Sequence, residues 1–293
     1  MGSFNRVTRT DLKGQTNRLL GFPEEARLLI INADDFGMCH AVNEAIIRAL
    51  QYGIVQSTTL MVPCAWAIQA MRFLAENPQI AFGVHLTAIS DGDDYRWGPL
   101  LPRADVPTLV DEAGYFYNFE QMPAFLAQVK LAELELEFRA QIERVLAAGL
   151  QPTHLDWHSL RLNGRTDILA ILLKLAQEYG LALRVMGQSW IQTVQSHTLP
   201  TIDFDFLDSY LLEPATKMAR FVELLHQLPP GLSEWAVHPG LDNAELQAIE
   251  PGGSHFRQAD FDFFTSPQAQ KTITQEGIVL LNYRSLQAVW RKS

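Results

Sequence analysis

Cysteine is scarce: Cys39 and Cys64 are the two thiols in 293 residues. A disulfide framework needs more, and so does a thiolate zinc site. Both are expected to be buried and free. Basic runs are absent too. Lys plus Arg is 23 against 33 for Asp plus Glu, a net charge of -10. Without a basic stripe, nucleic acid is not an expected partner. No stretch approaches 18 consecutive apolar residues, so no membrane span is expected. Met1 to Leu20 is polar and does not read as a signal peptide. The cytoplasm is the expected compartment. There is no Gly-x-Gly-x-x-Gly after the first strand and no Walker A run, so neither nucleotide-binding form of an open sheet is supported. No low-complexity segment occurs.

What is present is an alternation of apolar runs and helical patterns after a polar lead-in over residues 1–25. Leu28 to Ile31 is a short aliphatic run that reads as a buried strand ending at Asn32-Ala33-Asp34-Asp35. His40 to Gln51 follows with helical spacing and stops at Gly53. Further strands are expected at 55–62, 80–86, 153–158, 181–186, 235–238 and 278–283. Helices are expected at 65–76, 123–148, 166–179, 203–228 (with a break at Pro214), within 256–275, and at 285–291. Residues 88–121 interrupt the rhythm with Gly92, Pro99, Pro102, Pro107 and Gly114, and read as a functional loop or lid. Strands alternating with helices imply an α/β fold with a parallel sheet. About seven units fit one domain over 26–293, a distorted TIM-like (β/α) barrel; an open doubly wound sheet is the rival.

The chemistry is positional. Asp34 and Asp35 end the first strand, His85 the third, His158 the fourth and His238 the sixth. In a parallel barrel these ends share one face, which holds the active site. Neutral imidazole and carboxylate suit a divalent metal: zinc first, with magnesium or manganese also compatible. Three such ligands leave a position for water, which a metal makes acidic near neutral pH. A second carboxylate can then serve as general base and another His as general acid.

Each residue also has a plainer reading. Asp34-Asp35 alone fits a helix cap, and His85 alone fits a satisfied core histidine. His238 before Pro239-Gly240 fits a turn. Arg184 fits a surface ion pair, or a group on the same rim that holds a carboxylate. His154, Asp156 and His158 alternate at period two and share a strand face. Such groups in a barrel interior need partners, and His154 and Asp156 are expected to orient the ligands. Trp157 is expected on the opposite face, in the helix layer. Tyr95, Trp97, Tyr115 and Tyr117 either stack on a substrate ring or pack the loop.

Asn32-Ala33-Asp34-Asp35-Phe36-Gly37, Gly83-Val84-His85-Leu86, Pro152 to His158 and Val237-His238-Pro239-Gly240 occur in an order that resembles the YdjC-like carbohydrate deacetylases. This family includes chitooligosaccharide and hopanoid-biosynthesis deacetylases. Ser57-Thr58-Thr59 and Gly277 to Tyr283 add to the likeness, which runs from about residue 27 to about residue 288. The resemblance implies a TIM-like barrel and metal-dependent removal of acetyl from an N-acetylated sugar or oligosaccharide. By position it implies Asp35, His85 and His158 as metal ligands, Asp34 as general base, His238 as general acid, and Arg184 as an active-site arginine. Trp157 stands where the family usually has serine. Ser159-Leu160-Arg161-Leu162 stands where further histidines are usual. Two other readings remain at this stage: a metal hydrolase of another amide or ester, and a non-catalytic carbohydrate-binding or regulatory relative. The expected partner is the small-molecule sugar, and a homodimer is compatible with the sequence.

Overall fold

Every residue from Leu28 to Phe36 is buried, and together with Arg27 they form one ten-residue strand, β1 (Arg27–Phe36). The computed structural model describes residues 14–292 except 163, 206, 208, 209 and 211. Ahead of β1 lies a short helix, α1 (Gln15–Leu19). The chain continues with α2 (His40–Tyr52), β2 (Ser57–Leu60), α3 (Ala67–Glu76) and β3 (Ala81–Leu86). After the long connection come α4 (Met122–Gln128), α5 (Leu131–Ala147), β4 (His154–Trp157), α6 (Thr166–Tyr179) and β5 (Ala182–Leu183). The remainder is α7 (Gln188–Ser196), α8 (Pro214–His226), β6 (Gly231–Val237), α9 (Ala244–Ile249), α10 (Ser254–Phe264), α11 (Pro267–Gln275), β7 (Val279–Leu281) and α12 (Tyr283–Trp290).

All strand pairings are parallel, in the order β5-β4-β3-β2-β1-β6. β7 pairs with Leu28 to Ile30 of β1, below the stretch that pairs with β2. The α/β barrel expected from the sequence is therefore present as a curled sheet of seven strands. Among the described residues no pairing joins β5 to β6, so the curl stays open. The gap is closed by side chains instead: Arg184, just after β5, donates from Nε to Glu234 of β6 at 2.8 Å.

The free edge of β6 would expose unpaired backbone groups. Residues after α7 cover it: Asp203 N donates to Leu232 O at 2.8 Å and Leu207 N to Glu234 O at 2.9 Å. This corrects the helix expected over 203–228, which begins only at Pro214, where proline suits a first turn. The helix expected over 123–148 is likewise two helices. Val129 and Lys130 are extended (ψ 125 and 124). Thr108 Oγ1 accepts from Lys130 N at 3.1 Å and donates to Glu133 at 2.7 Å, so the long connection caps α5. Ser266 splits 256–275 in the same way, its hydroxyl accepting from Ala269 N.

Candidate active site

Successive strand residues face opposite ways, so Asp34 and Asp35 should not share a cavity. They do, because β1 slips register between Ala33 and Phe36 and Asp35 takes a left-handed conformation (φ 70). Asp tolerates that region better than most residues, at a cost. The irregularity turns both carboxylates inward. It also explains why β1 runs past the Asn32-Ala33-Asp34-Asp35 stop expected from the sequence: these polar residues find partners inside the curl.

Asp34 is gripped by Arg184. Nη1 reaches Oδ2 at 2.7 Å and Nη2 reaches Oδ1 at 2.9 Å. Asn32 Nδ2 (2.8 Å) and Thr59 Oγ1 (3.3 Å) also donate to Oδ1. Burial alone would raise the Asp34 carboxyl. Arg184 and His85 outweigh it and hold the group ionised, below the usual carboxylate range. Arg184 is itself buried and also meets Asp156 Oδ2 at 2.7 Å. It is no surface ion pair.

Asp35 is the hub of a second group. Its Oδ1 lies 3.4 Å from His85 Nε2 and 3.0 Å from His158 Nδ1. Arg257 Nη2 meets its Oδ2 at 2.9 Å. The outer nitrogen of each histidine faces a carboxylate: Asp156 at 2.6 Å from His85 Nδ1, Asp91 at 2.7 Å from His158 Nε2. Burial pulls both imidazoles down. The facing carboxylates reverse this, pushing His85 up to about 10 and His158 up to about 9. Donor atoms of Asp35, His85 and His158 all lie within 4.8 Å of one another, and all three residues are buried. A second such group is Asp34, His85 and Asp156. Asp34, Asp35, Asp91, Asp156, Glu234 and Glu250 stand against Arg184, Arg257 and the two imidazoles here. A carboxylate surplus of this size calls for a cation or protons.

His238 follows β6. Its Nε2 is 4.0 Å from Asp34 Oδ2, and its side chain is 25% exposed, open to the cavity. Its backbone N donates to Asp260 at 3.0 Å, and Asp260 is paired with the buried Lys217 at 2.7 Å. All six site residues picked from the sequence thus border one cavity of about 1050 Å³.

Some assignments change. His154 does not orient a ligand; it stacks on Tyr283 with ring centroids 3.6 Å apart. Burial, aided by Arg184, keeps it neutral, well below its usual range. Trp157, the last residue of β4, is buried in register with Leu86, on the strand face opposite His85 and Asp156 as expected, and it also borders the cavity. Of the loop aromatics, Trp97 is buried against His158, with ring centroids 5.6 Å apart. Tyr115 is exposed beside Arg96. The cavity wall takes its aromatics from elsewhere, from Phe119, Trp157, Trp190, Tyr210 and Phe256.

Several site residues escaped the sequence reading. Glu234 was findable, because it shares the period-two face of β6 with Ala236 and His238. Asp91, Glu250, Arg257 and Tyr210 lie outside the strands and carry no spacing signal.

The described part of the chain has no helix long and apolar enough to cross a membrane. A carbohydrate deacetylase from Geobacillus stearothermophilus is 31% identical over 261 residues, 88% of this chain and 97% of the relative. One from Enterococcus faecalis is 32% identical over 265 residues, with 88% and 97% covered. The crystal structure of an E. faecalis V583 protein, provisionally described as a cellobiose-phosphate cleavage protein, is 32% identical. It superposes with a TM-score of 0.75 over 89% of this chain and 99% of its own. The model of the YdjC-like protein family matches residues 28–275, nearly the whole strand-and-helix alternation, and the chain belongs to that family.

Proposed function

We propose that the protein is a metal-dependent deacetylase of N-acetylated sugars, with a divalent cation, zinc by preference, held by Asp35, His85 and His158. The observation that carries this reading is the convergence of those three donors beside an arginine-clamped carboxylate, Asp34, in one cavity. One carboxylate and two imidazoles match the usual catalytic zinc set. The local carboxylate surplus fits a cation as well. Such an ion supplies Lewis acidity: it polarises a carbonyl oxygen and makes water acidic near neutral pH.

The chain's own residues do the rest. Asp34 takes a proton from the attacking water at Oδ2, the oxygen that carries fewer hydrogen bonds and faces His238. Arg184 fixes the plane of that carboxylate and keeps it unprotonated beforehand. His238 Nε2 gives a proton to the departing amine. Water adds to the acetyl carbon and the C–N bond breaks, leaving acetate and an amino sugar. The cavity volume lies at the upper end for small-ligand sites, and its aromatic wall offers faces for sugar rings. The substrate class is also supported by relatives that are named carbohydrate deacetylases.

His158→Ala tests the reading. The variant is expected to lose bound metal and acetate release together. A variant that keeps its full metal complement would refute the ligand set.

A further inference from the structure

The segment between β3 and α4 is packed and tied down. Val106, Leu109, Val110 and Phe116 are buried within it. Glu137 of α5 accepts from Leu100 N at 2.9 Å and Leu101 N at 3.2 Å. Arg96 meets Asp111 at 2.7 Å.

This packed segment puts two side chains on His158. Asp91 Oδ1 lies 2.7 Å from Nε2 and also accepts from Ser159 Oγ at 3.2 Å. Trp97 meets the ring edge-on, and its own Nε1 is locked on Ile89 O at 2.9 Å. Neutral imidazole has one N–H and one lone pair. Without a cation both nitrogens of His158 face carboxylates, Asp35 at 3.0 Å from Nδ1 and Asp91 at 2.7 Å from Nε2; with a cation held by Asp35 and Nδ1, the one N–H of the neutral ring would lie at Nε2 and donate to Asp91. His85 is held in the matching way by Asp156. The two partners differ in setting: the Asp156 side chain is fully buried in β4, whereas that of Asp91 is 41% exposed and lines the cavity.

We infer that Asp91 is a positioning residue that fixes the ring plane of His158 from the cavity side and would accept its Nε2 N–H when Nδ1 holds a cation. The long connection between β3 and α4 is then a rigid wall that completes the centre. This inference rests on the proposed role of His158 as a metal ligand.

Cobalt(II) titration of the full chain tests it, with affinity and the visible absorption band as readouts. Outer partners of ligating histidines typically contribute about 10- to 100-fold in metal affinity. Asp91→Ala is expected to lose that much and to shift the cobalt band. Asp91→Asn, which keeps a hydrogen-bond acceptor, is expected to lose less. Should Asp91→Ala unfold by circular dichroism, the isosteric Asp91→Asn carries the same comparison. Wild-type affinity and an unchanged band in the folded variants, with His158→Ala losing cobalt, would overturn the inference and leave the metal reading standing. A wild-type chain with no saturable cobalt uptake would overturn both.

Discussion

Under the proposed mechanism Asp34 meets two opposed demands. A base must accept a proton, yet Arg184 holds this carboxylate ionised with two hydrogen bonds. The clamp secures geometry and charge state at the expense of basicity. Proton transfer by a positioned group contributes about 10²- to 10⁴-fold. Asp34→Asn is therefore expected to lower kcat by that order with metal content unchanged; an active Asn variant would remove Asp34 from the mechanism. Arg184 has a larger structural share. It neutralises Asp34, Asp156 and Glu234 at once in a buried setting. Breaking a buried pair by removing one partner costs about 3–5 kcal/mol. Arg184→Met should lose at least that much stability in urea unfolding, and a loss below about 1 kcal/mol would mean that water already reaches the cluster.

At the scale of elements, β1 and β4 do most of the positioning. The register slip in β1 brings adjacent carboxylates to one side. The His154/Asp156 face of β4, continued by His158, supplies one histidine of the proposed centre and the partner of the other. Beneath them, Gly83 lies so close to His154 that an added Cβ would meet its ring at 2.7 Å. Overpacking of this kind costs about 1–3 kcal/mol. Gly83→Ala should lower the unfolding free energy by that amount, readable as a shift in the denaturant midpoint. An unshifted midpoint would mean that the His154–Tyr283 stack is not tight.

Strand ends were the legible part of this chain. Asp34, Asp35, His85, His158 and His238 all close strands, and a parallel sheet gathers such ends by construction. Helix breaks were not legible. The one at Val129-Lys130 depends on Thr108, over 20 positions away, and the late start of α8 depends on the free edge of β6. Asp91 and Arg257 stayed hidden for the same reason, since only tertiary packing brings loop and helix residues to the site.

Across the whole molecule, the open curl and the site are one arrangement. A closed barrel would join β5 to β6 through backbone. Here the join is Arg184 to Glu234, and the same guanidinium holds Asp34. Closure of the sheet and preparation of the carboxylate are thus coupled, as expected where polar networks both rigidify and specify. The opposite rim is finished by the long connection after β3, which packs against α5 and reaches His158. The cavity between these two sides is where an acetylated sugar would sit. The most direct test is acetate release from a panel of N-acetylated mono- and oligosaccharides, comparing zinc-loaded protein with the same protein after chelation. The account predicts release from at least one sugar that chelation abolishes and zinc restores. Equal release before and after verified metal removal, or no release from any sugar with metal bound, would contradict it.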